Sequence, residues 1–218
     1  MSSDHERIFD AIKAVLSSAR MATYEAATNG NSSSLDLYAW NAKVSGSLLI
    51  PLHICEVAIR NAVAETLENV YGARWPWSTT FERSLPNPSC GYNQRRDLLS
   101  ARGANQSAGK VIPELKLVFW QKMFTSRHDT RLWDQYFGNI FPNMNPAQSV
   151  STRRQTIYDE IGQIRILRNR IAHHEPIFHR NLLDDYHKIL SIVRHRSQVT
   201  SDWLEQHQDA TGLIAAKP

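Results

Sequence analysis

The residues best suited to chemistry lie in one short segment, where two arginines and two histidines follow an apolar run. The segment LRNRIAHHEP spans residues 167–176. A neutral imidazole, with a pKa of about 6.5, can take a proton from a ribose 2′-hydroxyl at neutral pH. A guanidinium can donate two parallel hydrogen bonds to phosphate oxygens and stabilise the charge that builds there. These residue types indicate cleavage of RNA without a metal ion, a reaction that would spare DNA because DNA lacks the hydroxyl.

Arg168 and His173 are the predicted catalytic residues, but a regular helix would point them in different directions. Five residues rotate a helix by about 140°, so the two side chains share a site only if the helix ends between them or if they meet across an interface. Asn169 precedes His173 by four residues and can contact it directly. The alternative is a plain helix C-terminus, where cations stabilise the helix dipole and perform no chemistry.

Residues beside the motif are expected to support this site. Arg165 and Arg170 flank Arg168 and are predicted to bind RNA through their charge. The proton could be carried by His174 as well as by the histidine before it, since spacing does not decide between them. Adjacent histidines point about 100° apart on a helix, whereas a helical zinc pair needs i,i+4 spacing. We therefore expect no metal site, and no cofactor is predicted.

Glu56 and Arg60 lie four residues apart on a predicted helix and have two interpretations. They can form an ion pair on the helix surface, which stabilises a helix only slightly. Alternatively, Glu56 orients Arg168 or His173 from a neighbouring helix and so supports the site indirectly. The sequence favours neither interpretation over the other.

Tryptophans could also contact RNA, because an indole ring can stack on a base. Trp120 and Trp133 lie within apolar stretches and are predicted to be buried. Trp75 and Trp77 lie in a segment rich in Pro, Asn and Ser, where burial and base stacking both remain open.

The overall composition is that of a folded domain in a reducing compartment. The chain has 218 residues, of which 42% are hydrophobic and 21% charged. Its net charge is +4, and nine Lys and Arg residues face three Asp and Glu residues between Arg83 and Arg131, a basicity that attracts polyanions without requiring them. The two cysteines do not suggest a disulfide framework.

The polar N-terminus lacks a secretory signal pattern, and the most apolar run, residues 48–59, is too short to span a bilayer. We expect a cytoplasmic protein with no membrane contact.

Helical periodicity runs through most of the chain and predicts an all-α bundle, built on four long helices, in a single domain over residues 1–218. The long helices are expected over about 3–28, 35–71 and 147–170 and from about 181 onward, with Pro51 kinking or dividing the second. Shorter helices are predicted over 93–104, 113–124 and 130–137. Two segments are expected to be irregular, a loop-rich excursion over 75–92 and a flexible tail over 208–218.

The ordered set of sequence motifs resembles the bacterial Abi-like (abortive infection, AbiD/AbiF-type) branch of the HEPN superfamily, the higher eukaryote and prokaryote nucleotide-binding domains. The residues that carry the resemblance are LSSAR at 16–20 followed by Tyr24, LYAWN at 37–41, EVAIRNA at 56–62, Phe119-Trp120, Leu132-Trp133 and LRNRIAHHEPI at 167–177. Residues 115–118 (LKLV) stand where members of that branch often carry a glycine-containing stretch.

The resemblance implies a HEPN-like helical bundle that forms a homodimer and brings two Arg/His motifs into a shared cleft. Arg168, Asn169 and His173 occupy the motif positions of the family. The implied activity is that of an endoribonuclease toxin that arrests growth during phage infection. Its partners would be RNA, a second copy of the chain, and an antitoxin or a phage-derived trigger. Two alternatives stay open: a non-catalytic module that binds RNA or a nucleotide, and a toxin–antitoxin interaction protein.

Overall fold

The computed structural model describes residues 2–103 and 105–218, apart from the side chains of Ser2, Ser3 and His5. Every regular element in this part of the chain is helical, which confirms the all-α prediction. The helices are α1 Ser2–Leu16, α2 Ser18–Glu25, α3 Asn31–Tyr71, α4 Thr79–Ser84, α5 Gln94–Arg102, α6 Ala108–Glu114, α7 Leu117–Lys122, α8 Asp134–Ile140, α9 Val150–Ala172, α10 Leu182–Arg196, α11 Gln198–Gln206 and α12 Ala210–Ala215. Short 3-10 turns at Trp75–Trp77 and Ser126–His128 and a π-helical turn at Asp129–Trp133 connect them.

The 41-residue helix α3 forms the centre of the molecule and packs against α2, α9, α10 and α12. Its apolar stripe includes Leu48, Leu52, Cys55 and Ile59, all of which are buried. The helix continues through Pro51, so this proline does not divide it. A proline removes one backbone hydrogen bond inside a helix, and the packing of the buried stripe on both sides of Pro51 offsets that loss.

Among the described residues, α3 is the one helix whose length and apolar composition would suit a membrane span. A core helix of a soluble protein has the same composition, and α3 buries one face against several neighbouring helices. The helix therefore fits a soluble fold as well as it fits a membrane.

Two serines end helices that the periodicity alone would extend. Ser17 divides the first predicted long helix into α1 and α2, with a φ of 77° and its side chain accepting a hydrogen bond from the Arg20 N–H. Ser197 likewise separates α10 from α11 and accepts from the Thr200 N–H. A serine hydroxyl competes with the helix for backbone donors and is a favoured N-cap. Two helices in the described chain, α3 and α9, exceed 20 residues.

The predicted loop over 75–92 is in part helical, because its aromatic residues belong to the core. Trp75 and Phe81 are each 1% exposed, and their rings meet edge to face at 5.6 Å. Residues 75–77 and 79–84 therefore form a short turn and α4, and the chain between α4 and α5 is irregular. Trp75 is not available to stack on a base, whereas Trp77 is half-buried with the Arg74 guanidinium over its ring.

The end of the chain is also ordered, in contrast to the flexible tail expected over 208–218. Residues 210–215 form α12, which packs on α3 and α10. The buried Trp40 indole donates a hydrogen bond to the Leu213 carbonyl at 2.7 Å, and Lys217 donates to the Phe178 carbonyl. An indole N–H that is taken out of water needs such an acceptor, and α12 supplies it.

An aromatic cluster around Trp133 completes the core and confirms that Trp120 and Trp133 are buried. The Trp133 ring stacks on Phe124 at 4.6 Å, and its N–H donates to the Met123 carbonyl.

His128 precedes this cluster and is 4% exposed. Burial, and secondarily the charges of two nearby arginines, lowers the pKa of His128 from 6.5 to about 4, so the imidazole is neutral in the folded protein.

This buried histidine should make folding stability depend on pH. The unfolded chain binds a proton at His128 more readily than the folded protein does, so the stability is full above pH of about 6.5 and is lost as the pH falls toward about 4. Between pH 7.5 and pH 5, His128 should remove about 2 kcal/mol of unfolding free energy. Urea unfolding of the wild type and His128→Gln at both pH values measures the difference. Equal pH dependence in the two proteins would show that His128 is protonated as easily in the fold as outside it.

Candidate active site

The helix that carries the motif, α9, turns one face to the core and another outward. Ser149 caps its start by accepting a hydrogen bond from the Thr152 N–H. The core face consists of Ile157, Ile161, Ile164, Leu167 and Ile171, all buried. Arg165, Arg168 and Asn169 lie between these positions and are half-buried. The apolar stripe thus fixes which way the motif's polar side chains point.

The chain leaves α9 through a turn at His174, two residues after the helix ends at Ala172. The His174 N–H donates to the Ile171 carbonyl at 3.0 Å, and the Glu175 N–H donates to the Arg170 carbonyl at 2.8 Å. These two bonds are those of a Schellman C-terminus. His174 has a φ of 55°, in the left-handed region that glycine adopts at least cost. The surrounding contacts must therefore stabilise a conformation that histidine disfavours.

Two arginines supply those contacts. Arg20 of α2 donates to the His174 carbonyl. The Nε and Nη2 atoms of Arg170 donate to the Pro176 carbonyl at 3.1 and 2.6 Å, and its Nη1 lies 3.4 Å from a Glu175 carboxylate oxygen. Arg170, predicted to bind RNA, thus has its guanidinium engaged within the chain, where it closes the turn.

A third contact fixes the segment after the turn. Asn41 of α3 is 5% exposed, and its side-chain oxygen accepts a hydrogen bond from the Ile177 N–H at 2.8 Å. The bond ties the C-terminal end of the motif to the central helix. Neither Asn41 nor Arg20 was a candidate site residue, yet both lie in the motifs that carry the resemblance, at 37–41 and 16–20. A polar side chain inside the apolar stripe of α3 was the available signal for Asn41.

The Glu56 carboxylate contacts both Arg60, on its own helix, and Arg168, on α9. Its Oε2 accepts from Arg60 at 2.9 Å within α3, and its Oε1 accepts from the Nε of Arg168 at 3.1 Å. The Glu56 side chain is 12% exposed and that of Arg168 is 43% exposed. Arg168 is therefore held at Nε by a nearly buried anion while its far end reaches solvent.

Two cavities adjoin the motif and have no lining residue in common. One, which we call the basic cavity, has a volume of about 370 Å³. It is lined by Arg60, residues 113–118, Arg165, Arg168 and Asn169. The other has a volume of about 380 Å³ and is lined by Ala172 and His174 together with residues of α2 and α3. Arg168 of the motif therefore lines the basic cavity, and His174 lines the other cavity.

His173 is exposed and lines neither cavity. Its N–H donates to the Asn169 carbonyl at 2.9 Å, and with a φ of −94° and a ψ of 10° it is the C-cap residue at which α9 ends. Since the sharp turn follows His173 and does not precede it, the helix end does not swing the imidazole toward Arg168. Within one chain the two predicted catalytic side chains are not brought into one cavity.

Among the residues that the structure describes, no group of three or more His, Cys, Asp and Glu side chains lies close enough to hold a metal ion.

The chain matches no known protein-family model, and no curated protein or solved structure shows a significant match to it. The geometry of the motif and its surroundings is therefore the basis for a functional proposal.

The contact between Asn41 and Ile177 gives a direct test of how the motif is held. Asn41→Ala leaves the buried Ile177 N–H without an acceptor and should lower the free energy of unfolding by about 1–3 kcal/mol. Urea unfolding measures the loss. Asn61→Ala, at an exposed position of the same helix, is the matched control and should change stability by less than about 0.5 kcal/mol. A loss of equal size in both variants would mean that the hydrogen bond contributes nothing specific.

Proposed function

We propose that the protein is a metal-independent endoribonuclease that acts as a homodimer in the bacterial cytoplasm. The observation that carries the proposal is the state of Arg168. Glu56 fixes its guanidinium at Nε, its terminal nitrogens make no hydrogen bond in the described part of the chain, and it lines a cavity with two further arginines. Such an arrangement suits a phosphate group, because phosphate oxygens accept the paired donors of a guanidinium.

The proposed reaction is attack of a ribose 2′-oxygen on the adjacent phosphorus. The exposed imidazole of His173 takes the hydroxyl proton, and the bond from phosphorus to the 5′-oxygen breaks as the new bond forms. The departing 5′-oxygen takes a proton from water, and His173 later returns its proton to solvent, so the products are a 2′,3′-cyclic phosphate and a 5′-hydroxyl. Arg168 stabilises the negative charge on the phosphate oxygens. Asn169, which bonds the His173 N–H through its carbonyl, fixes the backbone between them.

A second copy of the chain would complete this site. In one chain, Arg168 lines the basic cavity and His173 does not, so we propose that the His173 of each subunit serves the Arg168 of the other. Apolar side chains exposed on α3 and α9 suit a contact between copies: Leu49 is 53% exposed, Ile50 46% and Ile166 42%. Burial of such side chains stabilises a protein interface.

The biological role that accompanies this chemistry is that of an abortive-infection toxin. Its support is the resemblance of the ordered motifs to Abi-like proteins of the HEPN superfamily, in which RNA cleavage stops growth of an infected cell. Control by an antitoxin or by a phage-derived trigger belongs to the same proposal. The net charge of +4 is compatible with a polyanionic substrate.

The separation of His173 from the basic cavity favours one rival, a module that binds RNA or a nucleotide without cutting it. Such a module would use the same arginines and would leave the imidazole idle. It would show affinity that falls with salt and would release no product. Cleavage and binding assays on the same variants separate the two functions.

Cleavage in the presence of EDTA tests the nuclease proposal. Purified wild-type protein should cut total RNA with the chelator present, and Arg168→Ala or His173→Ala should lower the rate by about 10²–10⁴-fold. The helical circular-dichroism signal should be unchanged, because both side chains are partly or fully exposed. The products, resolved by gel, should carry a 2′,3′-cyclic phosphate.

Two controls on α10 match these variants in residue type and in being exposed to solvent. Arg194 is 45% exposed and pairs with Glu205, much as Arg168 pairs with Glu56, and His187 is an exposed histidine of α10. Alanine at either control position should leave the rate unchanged. Cleavage that EDTA abolishes, or that His173→Ala retains in full, would contradict the proposed mechanism.

A further inference from the structure

Arg165 and Arg168 are held in the same manner on one face of α9. They lie three residues apart, a spacing that places side chains side by side on a helix. Arg165 donates from Nε to the Gln121 side-chain oxygen at 2.9 Å, as Arg168 donates from Nε to Glu56 at 3.1 Å. In the described part of the chain, the terminal nitrogens of both guanidiniums make no hydrogen bond. Each arginine thus presents a fixed pair of unused donors.

Both arginines line the basic cavity, whose charge is mostly positive. Arg60 and Lys116 line it as well, and Glu114 is its one acidic lining residue. Glu56 is not among the lining residues, and its single carboxylate is shared by Arg60 and Arg168. Lys116 is 70% exposed and its ammonium lies 3.9 Å from Asp97, so the two arginines of α9 are the better-placed donors. A concave surface with excess positive charge attracts anions.

We propose that Arg165 binds a phosphate of the nucleic-acid chain next to the phosphate bound by Arg168, and that Gln121 is the residue that positions it. This inference rests on the proposed function and extends its substrate site by one phosphate. Because a phosphate contact reads neither the sugar nor the base, the pocket accepts RNA and DNA strands alike, and cleavage alone distinguishes them.

Gln121 is suited to this positioning role because its amide is held from both sides. It lies on α7 and is 5% exposed. Its oxygen accepts from Arg165, and its nitrogen donates to the Tyr158 carbonyl of α9 at 3.2 Å. The second bond determines which way the amide faces, so that its oxygen meets the guanidinium. Residues 113–118, from the end of α6 to the start of α7, line the basic cavity, and they include the stretch 115–118 that departs from the Abi-like pattern.

Gly162 provides the space that Gln121 occupies. It lies in the interior of α9, four residues after Tyr158 and three before Arg165. A Cβ atom at this position would lie 2.9 Å from the Gln121 side-chain nitrogen. A glycine weakens a helix interior relative to alanine. Gly162 therefore lowers the stability of α9, but it leaves the space that the Gln121 amide occupies. Alanine at 162 would displace the flexible end of Gln121 and leave Arg165 without its anchor.

Binding of a short, fluorescently labelled single-stranded oligoribonucleotide tests this assignment. The measurements use His173→Ala as the background, so that the probe is not cut, with fluorescence anisotropy as the readout. Arg165→Ala should weaken binding roughly tenfold and reduce the slope of log affinity against log salt by about 0.7, the value for one phosphate contact on a single strand. Gln121→Ala should act in the same direction. Arg194→Ala, outside the cavity, should leave both quantities unchanged.

Gly162→Ala separates positioning from folding. The melting temperature should stay the same or rise, because alanine favours the helix, while the affinity for the oligoribonucleotide falls severalfold. In protein with His173 intact, the same substitution should raise KM for cleavage and leave kcat unchanged. A purely structural role for Gln121 would instead lower the melting temperature of Gln121→Ala and leave the salt slope as it was.

The outcomes distinguish this inference from the nuclease proposal. Affinity unchanged in Arg165→Ala and Gly162→Ala overturns the inference, even if Arg168 and His173 prove essential for cleavage. Loss of binding in both variants supports the inference, even if wild-type protein cuts no RNA and the nuclease proposal fails. A labelled oligodeoxyribonucleotide should lose affinity by the same factor as the RNA probe. A loss confined to RNA, or a background protein that binds neither probe, would contradict a phosphate contact at Arg165.

Discussion

The carboxylate of Glu56 joins the two helices that matter most to the motif. It is nearly buried between α3 and α9 and accepts a hydrogen bond from Arg60 on one side and from Arg168 on the other. A buried carboxylate requires such partners, and Arg168 requires an anchor if its guanidinium is to meet a phosphate in a fixed orientation. The buried neighbours Cys55 and Ile59 set the position of Glu56 in turn. The packing of α3 therefore positions Arg168 through this ion pair, as Asn41 of the same helix positions the segment after the turn.

The second constraint is the turn that ends α9. His174 takes a left-handed conformation, which Arg20 and Arg170 stabilise through backbone carbonyls. Because this turn follows His173, it does not carry the imidazole into the cavity that Arg168 lines. The protein therefore has Arg168 in the basic cavity and an exposed His173 that does not line it. In the proposed homodimer the two residues come from different subunits, so activity depends on assembly of the dimer.

Much of the fold could be predicted because its signals are local. The apolar stripes of α3 and α9 have helical spacing, and the burial of Trp120 and Trp133 follows from their apolar surroundings. Ser17 and Ser197 were not foreseen as helix ends, since a serine is compatible with a helix interior and with an N-cap, and the choice depends on which donors it meets. The order of residues 210–215 was also missed, because it depends on the Trp40 indole, more than 170 positions earlier.

The site was predictable in its residue types and less so in their partners. Arg168 meets Glu56, a contact that one of the two interpretations of Glu56 anticipated. Arg170 differs, because its acceptor is the Pro176 carbonyl, which exists at that place only after the turn has formed. Gln121 gave no signal in the sequence: an isolated glutamine has no periodicity, and its importance arises from the space left by Gly162. Contacts of this kind depend on tertiary structure and cannot be derived from spacing.

The central claim is that Arg168 of one subunit and His173 of the other act on the same phosphate. Neither Arg168→Ala nor His173→Ala should cut RNA alone. Co-expression with two different affinity tags allows the mixed dimer of these variants to be purified and its cleavage rate measured. Since one of its two sites keeps both side chains, the mixed dimer should recover about half the activity of the wild-type dimer. A mixed dimer as inactive as its parents would contradict the account, because the two residues would then act within one chain or not together.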